Sequence, residues 1–238
     1  MKKLILSTAA LALTAGFALA DGHSVRLGTE GAYAPWNFLN DAGEVDGFER
    51  ELGDELCKRA ELECTWVTNE WDSIIPNLVS GNYDAIIAGM SITAERDEVI
   101  DFTQAYTPPD PSAYLAMSAD VDLASGVVAA QTATIQAGFV AEQGWTLVEY
   151  ATPEETLAAV KNGEADAVLA DKSFLDTHVG VDGLVMLERS EAIGGGVGMG
   201  IRESDADLRG KFDAAIQSMK DDGTLNTLIA KWEVSSQW

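Results

Sequence analysis

Residues Trp71 to Arg96 read WDSIIPNLVSGNYDAIIAGMSITAER: an aromatic, a helix, a short apolar strand and an arginine in that order. From Asp72 to Ser80 the apolar residues Ile74, Ile75, Leu78 and Val79 fall on one helical face, and Gly81 stands where a left-handed C-cap is wanted. Tyr83 to Gly89 then carries Ala85, Ile86, Ile87 and Ala88 in succession, the pattern of a strand buried on both faces of a parallel sheet. Gly89, Met90 and Ser91 form its carboxyl end. Thr93 is placed to cap a further short helix over Ala94 to Ile100, and Arg96 falls in that helix's first turn, where the dipole disfavours a cation. Helix energetics leave that arginine unexplained. Ligands of open α/β sheets sit beyond the carboxyl ends of the strands, so Ser91, the first-turn N–H groups and Arg96 form a candidate carboxylate site.

The other half of the chain repeats the pattern. Thr152-Pro153-Glu154-Glu155 is a capping box with proline at the first helical position, Leu157 to Val160 carry the apolar face, and Gly163 closes the helix. ADAVLAD, residues 165–171, follows as the counterpart of YDAIIAG. Aligning Gly163 with Gly81 superposes Asp166 on Asp84, Ala167 on Ala85, Ala170 on Ala88 and Ser173 on Ser91, while Asp171 falls on Gly89. Two similar α/β lobes are expected. One presents an arginine and a hydroxyl at its strand tip and the other a carboxylate, which suits the α-carboxylate and α-ammonium of an amino acid.

Met1 to Ala20 has a basic start at Lys2 and Lys3, an apolar run from Leu4 to Leu19, and Ala18-Leu19-Ala20 as a cleavage site, the pattern of a secretory leader. No cysteine follows that site, against a lipoprotein, so a soluble periplasmic protein is expected. The formal net charge of the 238-residue chain is −24, and it becomes −26 when Lys2 and Lys3 leave with the leader. Such acidity excludes nucleic acid and anionic membranes as partners. About 218 residues remain, enough for two lobes with cores of their own.

Cys57 and Cys64 are the only cysteines, and oxidising export makes a short-loop disulfide between the helix Phe48 to Ala60 and the strand Cys64 to Thr68 the leading reading. Metal binding is the alternative. The two histidines, His23 and His178, lie far from the thiols in sequence, so a zinc site is not completed. Ser24 to Gly28 reads as a first strand, and Glu30 follows directly at its carboxyl end. Tyr33, Trp36 and Phe38 in the loop beyond it suit either packing onto the lobe or ligand contact.

With these stretches in view, the chain resembles the periplasmic solute-binding proteins that serve polar amino-acid ABC importers. The resemblance runs through GTEGAYAPWNF (28–38), GFERELGDELCKRA (47–60), residues 71–103, ADAVLAD (165–171) and GVGMGIRESD (196–205), and it is weakest over Val121 to Tyr150. The cysteine pair in CKRAELEC is most similar to the lysine/arginine/ornithine and opine binders. The resemblance implies an α/β, two-lobe periplasmic binding protein fold of type II, with two crossover hinge strands and the ligand in the interlobe cleft. It divides the chain into residues 1–20 as signal peptide, 21–109 as the first part of lobe 1, 110–191 as lobe 2 and 192–238 as the returning part of lobe 1.

Carried over residue by residue, the resemblance puts an α-carboxylate on Arg96, Ser91 and Thr134, and an α-ammonium on Asp171 with the Gly89 carbonyl, beside Met90. Tyr33 and Trp71 would sandwich the ligand side chain and Glu30 would meet its far end. Many family members carry GFD-x-D where this chain has Gly47-Phe48-Glu49-Arg50-Glu51, basic amino-acid binders often carry aspartate at Glu30, and some carry serine at Gly89. A guanidinium or ammonium stacked on Trp71 and ending on Glu30 favours a cationic side chain: arginine, lysine, ornithine, histidine or an opine derivative. A neutral polar amino acid such as glutamine is the alternative. The resemblance further implies a membrane permease as partner, and a monomer without cofactor or metal is expected.

Tyr106 to Pro111, with three prolines, reads as the first crossover and Glu191 to Gly200 as the second. The run IGGGVGMGI lacks the spacing of a dinucleotide loop. Asp205 to Met219 is an amphipathic helix stopped by Gly223, and Leu225, Leu228, Ile229 and Trp232 mark the last one. Of enzyme readings, a serine hydrolase is excluded by the lack of G-x-S-x-G with a placed histidine. A dehydratase on the same two-lobe fold is the competing class, with Lys172 as its candidate proton-transfer residue. A receptor-linked sensor would need a fused signalling domain.

Overall fold

Side chains of the strand region Ala85 to Ala88 alternate between two cores, Ile87 entering one and Ile86 and Ala88 the other. In the computed structural model, which describes residues 24–238, this stretch lies inside a five-stranded sheet. Its order is Cys64–Thr68, Val25–Thr29, Ala85–Ile86, Gly200–Ile201, Asp101–Phe102. The first three strands are parallel, with Leu27 opposite Ala85 and Val25 opposite Cys64. On one face, Leu27 and Ile87 pack with Phe48, Leu52 and Leu56 of the helix Phe48–Arg59 and with Phe212, Ile216, Leu225 and Ile229 of the two C-terminal helices. On the other, Trp71, Ile74, Leu78, Tyr83, Met90 and Ile100 cover Ile86. A strand flanked by helices on both faces has no wet side, which is why its sequence is apolar without a break.

The predicted helix over Asp72 to Ser80 divides into a 3-10 turn, Trp71–Ser73, and an α-helix, Ile74–Val79. Pro76 has no N–H to give to the Asp72 carbonyl, so the first turn tightens. The predicted strand over 83–89 has ladder pairing at Ala85–Ile86, followed by the Ile87 amide donating to the Gly28 carbonyl. It is cut short because Gly89, at φ 62°, turns the chain out of the sheet.

The second five-stranded sheet runs Thr146–Tyr150, Val127–Gln131, Ala167–Asp171, Ser112–Ala116, Val185–Glu191. The capping box at Thr152 is formed, with Glu155 returning the bond, and Pro153 opens the helix Pro153–Asn162. Gly81 and Gly163 have φ of 81° and 76°. The internal repeat extends to hydrogen bonds that the alignment did not include. Asp84 gives its amide to the Arg26 carbonyl and takes the Arg26 amide on Oδ2 at 3.0 Å. Asp166 makes the same closed pair with Val127, at 2.8 and 2.7 Å. In the first sheet the carboxylate also holds Arg26 and Arg202. Burial alone would raise the Asp84 carboxyl, but the hydrogen bonds from Arg26 and Arg202 outweigh it and bring it down to about 2.

The chain passes between the sheets over 103–111 and again over 192–199, and the two passages meet through Val197, which bridges both Ser91 and Thr107. The lobe divisions at 109/110 and 191/192, which we propose, fall inside or at the edge of these passages. The leader read over Met1–Ala20 lies outside the described residues. Among the described residues no helix is long and apolar enough to cross a membrane.

Cys57 and Cys64 form a disulfide that ties the last turns of the helix Phe48–Arg59 to the start of the strand Cys64–Thr68, Cα to Cα 6.2 Å. Closing so short a loop removes entropy from the unfolded chain worth about 2.5 kcal/mol. Replacing both cysteines by serine is therefore expected to lower unfolding stability by about 2 to 3 kcal/mol in denaturant titration. Ligand affinity should stay near wild type, because both residues lie away from the cleft. A variant as stable as wild type would remove this role for the bond.

Candidate functional site

The carboxyl ends of both sheets face a narrow cleft, and its lining includes Glu30, Tyr33, Trp71, Gly89, Ser91, Arg96, Thr134 and Asp171. Thr93 caps the helix Ala94–Asp97 by accepting the Arg96 amide at 3.2 Å, which fixes Arg96 at the third helical position. Its guanidinium turns back into the cleft, donates to the Ser91 carbonyl at 2.9 Å and the Ala133 carbonyl at 3.4 Å, and lies 5.3 Å from the centre of the Trp71 ring. Burial lowers the Arg96 pKa to about 10, partly offset by Asp171 and Glu95. The group stays charged at neutral pH and has no carboxylate in salt-bridge contact, among the described residues.

Asp171 ends its strand opposite Arg96. One carboxylate oxygen accepts from the Tyr33 hydroxyl at 3.0 Å and the other from Gln136 Nε2 at 2.7 Å. Burial, and then the nearby Asp110, push its carboxyl up to about 7, against the pull of Tyr33, Arg96 and Gln136. Glu30 is half-buried, accepts from Gln131 Nε2 at 2.6 Å, and is pushed up to about 7 chiefly by loss of solvent.

Several sequence expectations need correction here. Met90 is fully buried in the core beside Trp71 and Ile74 and does not line the cleft, because the alternation that puts Ile86 and Ala88 in that core carries on to Met90. Tyr33 lines the cleft but is not a free stacking platform. One face lies on Phe174, centroids 4.4 Å apart and planes 10° apart, and its hydroxyl is held by Asp171. Trp71 carries Arg96 over its ring and donates from Nε1 to the Ala133 carbonyl. Thr134 caps the helix Ile135–Glu142 and already donates its hydroxyl proton to the Gln131 carbonyl at 2.6 Å. Of the other loop aromatics, Trp36 is buried and donates to Ser173 Oγ of the facing lobe at 2.8 Å, and Phe38 packs on Trp232. Lys172 is not in the cleft; its ammonium pairs with Asp176 at the surface.

Three contributors escape a sequence reading. Gln131 and Gln136 lie in the weakly matched stretch, and a glutamine in a strand or helix start carries no signal of its own. Glu49 resembles an ordinary first-turn acid. It is in fact fully buried, accepting from Asn37 Nδ2 at 2.7 Å, from the Gly89 amide at 2.6 Å and from the Tyr106 hydroxyl. Burial raises its carboxyl. It thus fixes the strand tip at Gly89 to the start of the crossover.

Known proteins give the same picture of the chain's relations. Octopine-binding periplasmic protein of Rhizobium meliloti is 31% identical over 98% of this chain and 97% of its own length. Histidine-binding periplasmic protein of Escherichia coli K12 is 34% identical over the same shares. The crystal structure of a periplasmic His/Glu/Gln/Arg/opine family-binding protein from Silicibacter pomeroyi, in complex with lysine, is 68% identical with a TM-score of 0.88, covering 90% of this chain and 100% of that one. The model of the bacterial extracellular solute-binding proteins, family 3, matches residues 25–235, and the chain belongs to that family.

Proposed function

We propose that this protein is the periplasmic substrate-binding component of an amino-acid ABC importer and binds a free amino acid with a cationic side chain. The observation that carries this reading is the charge of the cleft lining. The lining residues that can carry charge at neutral pH are one guanidinium, Arg96, and two carboxylates, Asp171 and Glu30, the Tyr33 phenol being held neutral. Arg96 and Asp171 are matched by the carboxylate and ammonium common to every amino acid. Glu30 remains, half-buried and without a salt-bridge cation among the described residues, so a ligand that brings a third charge of positive sign completes the set. The complex of the 68%-identical relative with lysine supports the same class.

Export by a leader cleaved after Ala20, action as a monomer, and delivery to a membrane permease belong to this reading, as does binding without catalysis. Calorimetric titration of refolded, ligand-stripped protein is its test, against arginine, lysine, ornithine, histidine, octopine and glutamine. At least one cationic ligand is expected to bind ten-fold or more tightly than glutamine at pH 8, a difference of about 1.4 kcal/mol. Tight binding of a neutral amino acid with none of the cationic set would overturn it.

A further inference from the structure

The far end of the cleft is built from two side chains that leave one oxygen each unused. Glu30 Oε1 accepts from Gln131 Nε2 at 2.6 Å, and the same amide nitrogen gives its second hydrogen to the Ala151 carbonyl at 3.0 Å. Gln131 therefore has no donor left, while its Oε1 and Glu30 Oε2 have no partner among the described residues. Both residues line the cleft.

No cation of the protein neutralises this end. The neighbouring helix start places Glu154 near Glu30, a second negative charge. Tyr33 of the same loop is neutral and held by Asp171, itself an acid across the cleft. Arg96 is the one cation among the lining residues, and its guanidinium is engaged by two carbonyls and Trp71. Lys172, beside Asp171, is paired with Asp176 outside. A desolvated carboxyl in such surroundings has two stable forms: ionised against a cation brought by the ligand, or protonated and donating to an acceptor brought by the ligand. Burial has already raised Glu30 to about 7, so both forms lie within reach of the pH of the cell envelope.

We infer that Glu30 and Gln131 form a proton-exchanging distal subsite, which takes an ammonium or guanidinium with release of the Glu30 proton and a neutral side-chain amide with that proton retained. In the first case the proton leaves Glu30 Oε2 for solvent, and the ionised carboxylate with the Gln131 carbonyl receives the ligand's N–H groups. In the second, the Glu30 hydroxyl donates to the amide oxygen of the ligand and the Gln131 carbonyl accepts from its amide nitrogen. The choice between cationic and amide side chains is thereby set by pH. This inference rests on the amino-acid-binding reading above, and it assigns Gln131 as the positioning residue for that choice.

The experiment is isothermal titration of arginine and of glutamine into the full mature chain from pH 5.5 to 8.5, in paired buffers of different ionisation enthalpy. Asp171 and Arg96 meet both ligands alike, so the difference in protons released isolates Glu30. Arginine should release about 0.9 proton at pH 6, about 0.5 at pH 7 and under about 0.1 at pH 8.5, while glutamine should take up the complement, so that the two differ by about one proton throughout. The arginine-to-glutamine affinity ratio should fall by about 300-fold from pH 8 to pH 5.5, about ten-fold per pH unit. Glu30→Gln should abolish the proton difference and make the ratio independent of pH. Gln131→Leu, which removes the one donor favouring the ionised form, should keep the difference and move the midpoint of arginine's proton release above 7. Equal proton counts for the two ligands, or no glutamine binding at pH 5.5, would overturn the inference while arginine binding kept the proposed function intact. Failure of arginine and lysine to bind at any pH would overturn the proposed function instead.

Discussion

Arg96→Ala is expected to weaken every amino-acid ligand by about 2 to 5 kcal/mol, or about 30-fold to several thousand-fold, because it leaves a carboxylate buried in the closed cleft without its charged partner. The same substitution should leave the unfolding temperature of ligand-stripped protein unchanged or slightly raised. The guanidinium is half-buried, its partners are two carbonyls and the Trp71 ring, and loss of solvent brings its pKa down to about 10. Holding that charge in place therefore costs stability in the absence of ligand. A residue kept for structure would behave the other way, with stability falling together with affinity. Titration calorimetry and thermal melts on the same preparation separate the two. Affinity within a few-fold of wild type, or a melt lowered in proportion to the lost affinity, would remove Arg96 from its role.

Arg96 was legible in the sequence because a cation in the first helical turn is a local contradiction, visible without any tertiary contact. The internal repeat was legible for a related reason. Gly81 with Gly163 and Asp84 with Asp166 each sit in a fixed local frame of helix end, turn and strand, and the hydrogen-bonded rings to Arg26 and Val127 follow from that frame. What stayed hidden depends on distant segments. Gln131 acquires its meaning from Glu30, 101 residues away, and Trp36 from Ser173, 137 residues away. Glu49 sits where helix dipoles attract acids anyway, so nothing local marks it as buried against Gly89 and Tyr106. Met90 is the opposite case, since the local pattern does mark it: Ile86, Ala88 and Met90 alternate onto one face and share one core.

Those distant contacts also determine how the two lobes meet. The loop that follows the first strand reaches the second lobe through Tyr33 on Phe174 and Asp171, Trp36 on Ser173, and Glu30 on Gln131. Trp71 and Arg96 converge on the Ala133 carbonyl. Only some of these contacts involve groups that a ligand must use. Trp36 and Ser173 are buried beneath the cleft and outside its lining, so they report lobe closure, whereas Asp171 serves both purposes at once.

Asp171→Asn should accordingly weaken cationic and neutral amino acids alike, by about 2 to 5 kcal/mol, since all of them lose the carboxylate that meets the α-ammonium. The side-chain volume is kept, and an asparagine oxygen can still accept from the Tyr33 hydroxyl, so the loss reflects charge rather than packing. The pH dependence of stability supplies an independent check. In the folded protein burial and Asp110 raise this carboxyl from 3.8 to about 7, so between those values the folded state holds a proton that the unfolded state has released. Stability from this group is therefore full below pH 3.8, declines as pH rises through the window and levels off above about 7. Asparagine does not titrate and removes that decline. The difference in unfolding temperature, variant minus wild type, should become more positive between pH 4.5 and pH 8 in ligand-stripped protein. A difference that stays constant or moves the other way would mean that Asp171 is not held in its raised state by the fold. Wild-type affinity in the variant would mean that the α-ammonium is met elsewhere, with the Gly89 carbonyl, which the family resemblance implies as a second acceptor, the next candidate.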